Sequence, residues 1–155
     1  MSNFKSNITM KIKTFLALLL LVIVGCSCSK TDKDTDTILY GTWKLIGIQG
    51  QNGKMREPNP TEKECPKCFT ITFRKNNTLE GKSSSNDIIA SYILNTKEAT
   101  LTIPYIGGTE VMENEDGNIF RECLIGTTHY VVDNNKVMIT NNKQQSLSLK
   151  KINAL

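Results

Sequence analysis

The side chains best suited to chemistry in this 155-residue chain are five cysteines and a single histidine, at Cys26, Cys28, Cys65, Cys68, Cys123 and His129. Cys65-Pro66-Lys67-Cys68 is the sharpest local motif. Its spacing suits a redox centre, in which the first cysteine sits at a helix N-terminus that lowers its pKa. It also suits two free thiols, half of a metal site, or a local disulfide. A period-two pattern follows Cys68 directly and no βαβ unit surrounds the motif, so the helix that a redox centre needs is missing. That context favours a disulfide pinning the entrance to Phe69, closing a small loop with modest stabilisation. Zinc would require Cys123 and His129 to join the pair; the ligand types suit a tetrahedral site, but a second close-spaced ligand pair is lacking. Cys123 lies on an apolar helical face, where an inert buried thiol is expected. One histidine and no recognisable serine or cysteine nucleophile motif give hydrolase chemistry little to stand on. The expectation is a non-enzyme without a metal. Gly107-Gly108-Thr109 lacks the lysine and glycine spacing of a phosphate loop and reads as a turn. Trp43, Tyr92 and Tyr130, with Tyr40, are candidates to line a small apolar pocket, with core packing as the alternative.

Cys26 belongs to a different kind of signal. An apolar run over residues 15–25 ends in Ile23-Val24-Gly25-Cys26, an aliphatic residue and two small or aliphatic positions before cysteine. Lys5, Lys11 and Lys13 precede it and no acidic residue occurs before Asp32, the charge order of a secretory leader. The run is about half the roughly 20 apolar residues that span a bilayer. The segment looks like a bacterial lipoprotein signal, with residues 1–25 removed and Cys26 carrying a covalent lipid. A diacylglyceryl thioether plus an N-acyl chain such as palmitate supplies the two anchors that stable attachment needs. Met10 offers a second start for such a leader. Residues 1–25 hold three lysines and no acid, so 16 basic and 15 acidic residues remain and the net charge falls from +4 to about +1. The remainder carries no basic footprint for nucleic acid. Residues 26–37, lipidated cysteine included, read as a polar tether too poor in apolar groups to fold. The charges behind Cys26 resemble signals that send some bacterial lipoproteins to the cell surface; a spacer facing the periplasm is the alternative.

The elements that position the remaining chemistry lie in residues 38–155, enough for one small domain. Residues 40–50 read as a strand rich in Trp43, Leu45, Ile46 and Ile48. Residues 51–67 hold three of the four prolines and read as a long loop. Phe69, Ile71 and Phe73 alternate with period two, and Arg74-Lys75-Asn76-Asn77 turns this strand into the next, over residues 78–83. Residues 88–94 and 99–103 form a further pair, closed by Pro104. Three short strands follow at residues 129–132, 136–140 and 146–151. The expected fold is mainly β, a single small antiparallel barrel or sandwich of about eight strands. One helix falls between the fifth and sixth strands, where Ile119, Phe120, Cys123 and Leu124 share a face. Asp116 or Asn118 is the expected N-cap and Gly126 the end. Glu110, Glu113, Glu115 and Asp116 read as a solvated helix start rather than a metal site.

In this order the motifs resemble the META domain, the HslJ-like family of bacterial envelope proteins. The resemblance is carried by Gly41-Thr42-Trp43-Lys44-Leu45, Ile71-Thr72-Phe73 with Leu79-Glu80-Gly81, Ser84-Ser85-Asn86 through Ala90-Ser91-Tyr92, Ala99-Thr100-Leu101-Thr102-Ile103, the helix and the final hairpins. Ser85 stands where many members have cysteine and Ala90 where many have glycine, so any disulfide or bulge those positions support in relatives is in doubt. The resemblance implies a stress-linked envelope module with no catalytic residues to transfer. Gly41-Thr42-Trp43 is also similar to the lipocalin opening, which implies instead a binder of a small apolar ligand. The partners expected are therefore a membrane through the lipid on Cys26, and an envelope protein or small apolar ligand. The expected location is the cell envelope, most specifically the outer membrane.

Overall fold

The computed structural model describes residues 39–153. The expected leader, Cys26, Cys28 and the expected tether lie outside them. The described residues build eleven strands and one helix: β1 (Gly41–Gln49), β2 (Met55–Arg56), β3 (Thr70–Phe73), β4 (Thr78–Lys82), β5 (Asp87–Ser91), β6 (Ile93–Asn95), β7 (Thr100–Thr102), β8 (Gly107–Gly108), α1 (Glu115–Ile125), β9 (Thr127–Asp133), β10 (Lys136–Asn141) and β11 (Ser146–Ile152). Nine strands form one antiparallel sheet in the order β8-β5-β4-β3-β1-β11-β10-β9, with β2 attached to β1. β6 and β7 pair separately, and the Tyr130 amide of β9 donates to the Ala99 carbonyl at the entrance to β7 (3.0 Å). The sheet curls into a half-barrel.

The expected β class and single helix hold, but the strand count does not. Residues 88–94 are not one strand, because Tyr92 leaves the ladder between β5 and β6. Its amide donates to Asn77 O (2.9 Å) and its hydroxyl to Arg74 O (2.7 Å), which ties it to the β3–β4 turn. β2 and β8 have two residues each, too few to show a period, and β2 lies inside the expected loop. The helix therefore follows β8 rather than the fifth strand.

Alternation fixes which face is buried. Ile71 and Phe73 of β3, and Ile88 and Ala90 of β5, point inward with Trp43 and Leu45 of β1. Phe69 is buried with them, but its backbone sits at φ +52, so the ladder of β3 begins one residue later. A bulge at Ile46 shifts β1 between Leu45 and Gly47, and Ile48 returns to the core. Phe69 packs edge-on against Phe120 with centroids 5.5 Å apart, and Phe73 against Tyr92 at 5.2 Å.

Phe120, Cys123 and Leu124 bury the expected face of α1, with Ile119 partly buried beside them. The N-cap is Asn114, whose side chain accepts from the Gly117 amide at 2.7 Å, and not Asp116 or Asn118. Asp116 is unavailable because its carboxylate is occupied by Arg56 and by the Asn59 amide. Gly126 closes the helix as expected, donating to Glu122 O at 2.9 Å. Among the described residues no helix is long and apolar enough to cross a membrane.

Candidate functional site

Two irregular segments gather the polar groups. The first is a strap, residues 50–68, which lies over the outer face of β1. Cys65 and Cys68 are joined by a disulfide within it, with Cα atoms 5.3 Å apart. Lys44 lies under this loop and is only 1% exposed. It follows Trp43 in β1 and so faces away from the core. Its ammonium donates to the carbonyls of Cys65 (2.9 Å), Pro66 (3.0 Å) and Cys68. Burial lowers the Lys44 pKa; Glu62 opposes that shift and Lys150 adds to it. Glu62 of the strap meets Lys150 of β11 at 2.7 Å. At the other end Arg56 clasps Asp116 through both guanidinium arms, one at 2.8 Å, and Asn114 Nδ2 donates to Asn59 O at 2.7 Å.

The second segment leads from β8 into α1 and is held by Glu113. Its carboxylate accepts from the hydroxyls of Ser83 and Ser84, from the Ser85 amide (3.1 Å) and from Asn86 Nδ2 (2.7 Å). The amide oxygen of Asn86 accepts from the Val111 amide and from Thr109 Oγ1 (3.1 Å). Burial pushes the Glu113 pKa upward, but the donors from Ser83, Ser84, Asn86 and Ser85 outweigh it and hold the carboxyl below its usual range. Asp116 follows the same balance: burial raises it, and Arg56 with the Asn59 amide brings it down. These two acids are fixed structural acceptors, so the reading of them as a solvated helix start is corrected. Their partners are remote in sequence, and no local pattern announces them.

The three aromatic candidates fall in the core. Trp43, Tyr92 and Tyr130 are all buried, and Trp43 Nε1 donates to Leu39 O at 2.7 Å. Burial, with a smaller contribution from Tyr40, pushes the Tyr92 hydroxyl up to about 12. None of the three lines the surface clefts. One cleft of about 300 Å³ opens between β1 and the strap, with Leu45, Ile46, Pro58, Thr61, Glu62 and Lys63 in its walls. A shallower one of about 370 Å³ lies over the outer face of β3 to β5, beside Thr70, Thr72, Glu80 and Lys82.

The zinc ligands considered from the sequence do not meet. Cys65 and Cys68 are spent on each other, while Cys123 is a separate buried thiol whose sulfur accepts from Asn141 Nδ2 (3.4 Å). Burial first, then Glu122, raises that thiol to about 12 against a small opposing effect of Lys143. His129 is exposed on β9 beside Thr128 Oγ1 (3.2 Å). Among the described residues no group of three His, Cys, Asp or Glu side chains is placed to hold a metal ion. Gly107 and Gly108 form a strand rather than a turn: a side chain at Gly108, at φ +135, would collide with the Asp87 carbonyl of β5. The only signal of Lys44 in the sequence is a charge set among the apolar residues of β1.

Solved structures share this fold at low identity. A DUF4847 family protein from Bacteroides vulgatus superposes with a TM-score of 0.58 at 17% identity, covering 79% of this chain and 99% of that one. A protein from Burkholderia xenovorans gives 0.60 at 17% identity over 77% and 87%. A lipocalin-like protein from Bacteroides uniformis gives 0.50 at 13% identity over 74% and 98%. No curated protein matches the sequence. The family model of the META domain matches residues 36–154, most of the chain, and the protein belongs to the META domain family.

Proposed function

We propose that this chain is a lipid-anchored protein of the bacterial cell envelope, probing its surroundings through a META domain that acts by binding rather than catalysis. The observation that carries the anchoring is Ile23-Val24-Gly25-Cys26 at the end of a short apolar run behind three lysines. A disulfide between Cys65 and Cys68 fits export to an oxidising space. The non-catalytic reading is supported by how the polar side chains are used. Glu113, Asp116, Asn86 and Lys44 each hold one part of the fold to another. The outer membrane is the expected address, on its periplasmic or its outer side, and envelope stress tolerance is the expected context.

Acyl-chain labelling of cells expressing the wild type and Cys26→Ala, with protease added to intact cells, tests the anchoring. Label on the wild type alone is the expected result. An unlabelled wild type removes the anchor, and protection from protease restricts the domain to the periplasm.

A second reading, a binder of a small apolar ligand, draws on the cleft beside Leu45, Ile46 and Pro58. Its volume is at the lower end for small-molecule sites. Saturable chemical-shift changes at Ile46 with a fatty acid or similar apolar probe support it; shifts spread over the whole surface count against it.

A further inference from the structure

Register places three lysines side by side on neighbouring strands. Lys136 of β10 pairs with Lys150 of β11, and Lys150 pairs with Lys44 of β1. Like charges directly opposite each other destabilise a sheet. The strap supplies counter-groups to two of the three: Glu62 to Lys150, and the carbonyls of Cys65, Pro66 and Cys68 to Lys44. An ammonium has three N–H donors, and three carbonyls of one loop accept them. Those carbonyls converge on Nζ while the loop is closed, and what closes the loop covalently is the Cys65–Cys68 bond.

We propose that this disulfide is a redox-sensitive clasp, so that reduction by a dithiol opens the Cys65–Cys68 loop at the end of the strap and uncovers Lys44. Cys65 is partly exposed whereas Cys68 is 3% exposed, so the attacking thiolate reaches the Cys65 sulfur. A new S–S bond forms between the reductant and Cys65, the bond to Cys68 breaks, and Cys68 leaves as a thiolate that takes a proton from water. The reductant's second thiolate then displaces Cys65 as a thiolate, which is protonated in turn. Two electrons reach the protein, which ends with two thiols, and the reductant ends as its own disulfide. Without the covalent closure, ordering the loop around Lys44 carries a larger entropic cost. Opening then returns the Lys44 ammonium to water and relieves its desolvation, which favours release. The clasp is a property of the domain and holds whether or not Cys26 is lipidated.

The purified full chain is pulse-labelled with an amine-acylating reagent, with and without prior dithiothreitol, and each lysine is read by mass spectrometry. Exposed Lys97 serves as the reference, and alkylation of buried Cys123 reports on the whole fold. Oxidised protein is expected to label Lys44 about tenfold or more below Lys97, and reduced protein to label the two within a few-fold, with Cys123 unalkylated. Lys44 still protected once Cys65 and Cys68 both alkylate overturns the clasp. So does alkylation of Cys123 in step with Lys44, because the domain is then unfolding as a whole. A double variant, Cys65→Ser with Cys68→Ser, is expected to label like the reduced wild type without reductant; labelling like the oxidised wild type overturns the proposal.

Discussion

The strap and the entry to α1 are both irregular segments held against the sheet by one charged side chain, yet the two charges are in opposite positions. Glu113 meets donors from Ser83, Ser84, Ser85 and Asn86, and its pKa moves down, toward the charged form. Lys44 meets three carbonyls, and its pKa also moves down, but for a base that is away from the charged form. The carboxylate is therefore a net fastening, whereas the ammonium is a desolvated charge that neutral dipoles only partly compensate. What holds the strap must then include the Glu62–Lys150 pair and the Arg56–Asp116 clasp, while the disulfide shapes the loop that meets Lys44.

The sharpest way to break this contrast is to remove each charge. Glu113→Ala orphans several donors at once and is expected to cost about 3 kcal/mol in urea unfolding. Asp116→Ala leaves the Asn59 amide and a half-exposed Arg56 without their acceptor, with an expected loss of about 2 kcal/mol by the same measurement. Asn114→Ala removes the N-cap and is expected to cost about 1 kcal/mol. Lys44→Met removes a charge and its burial cost together and is expected to change stability by less than about 1 kcal/mol. A loss at Lys44 as large as that at Glu113 would erase the distinction.

Proton linkage separates the two regions a second way. Glu113 and Asp116 have folded pKa values below their ordinary 4.5 and 3.8, so their contribution is complete above those values and is lost as pH falls through the lowered ones. Acid titration of stability, followed by circular dichroism, is expected to show that loss in the wild type and a flatter profile in Glu113→Gln. Lys44 has the same sign in a different window: its folded pKa is also lowered, so wild type gains stability relative to Lys44→Met only as pH rises toward 10.5. This is the smallest effect expected.

The same contrast explains what could be read without a structure. Period-two alternation at Ile71 and Phe73 and the helical spacing of Phe120, Cys123 and Leu124 identify core faces, because both depend on near neighbours in the chain. Gly126 marks a helix end for the same reason. Glu113 looks solvated from its neighbours, yet its partners lie 27 to 30 residues away. Lys44 becomes intelligible only when the strap folds back over it from 21 to 24 residues later. Tyr92 breaks a strand that its own sequence would continue, because Asn77 and Arg74 offer its amide and hydroxyl better partners. Two-residue β2 and β8 are defined only by pairing.

The most direct measurement is hydrogen exchange on the full chain before and after reduction by dithiothreitol, resolved to the two segments. Faster exchange of the amides of Cys65, Lys67 and Cys68, with those in residues 83–86 and 111–117 unchanged, is the predicted result. Equal acceleration in both segments, or in neither, would contradict the account.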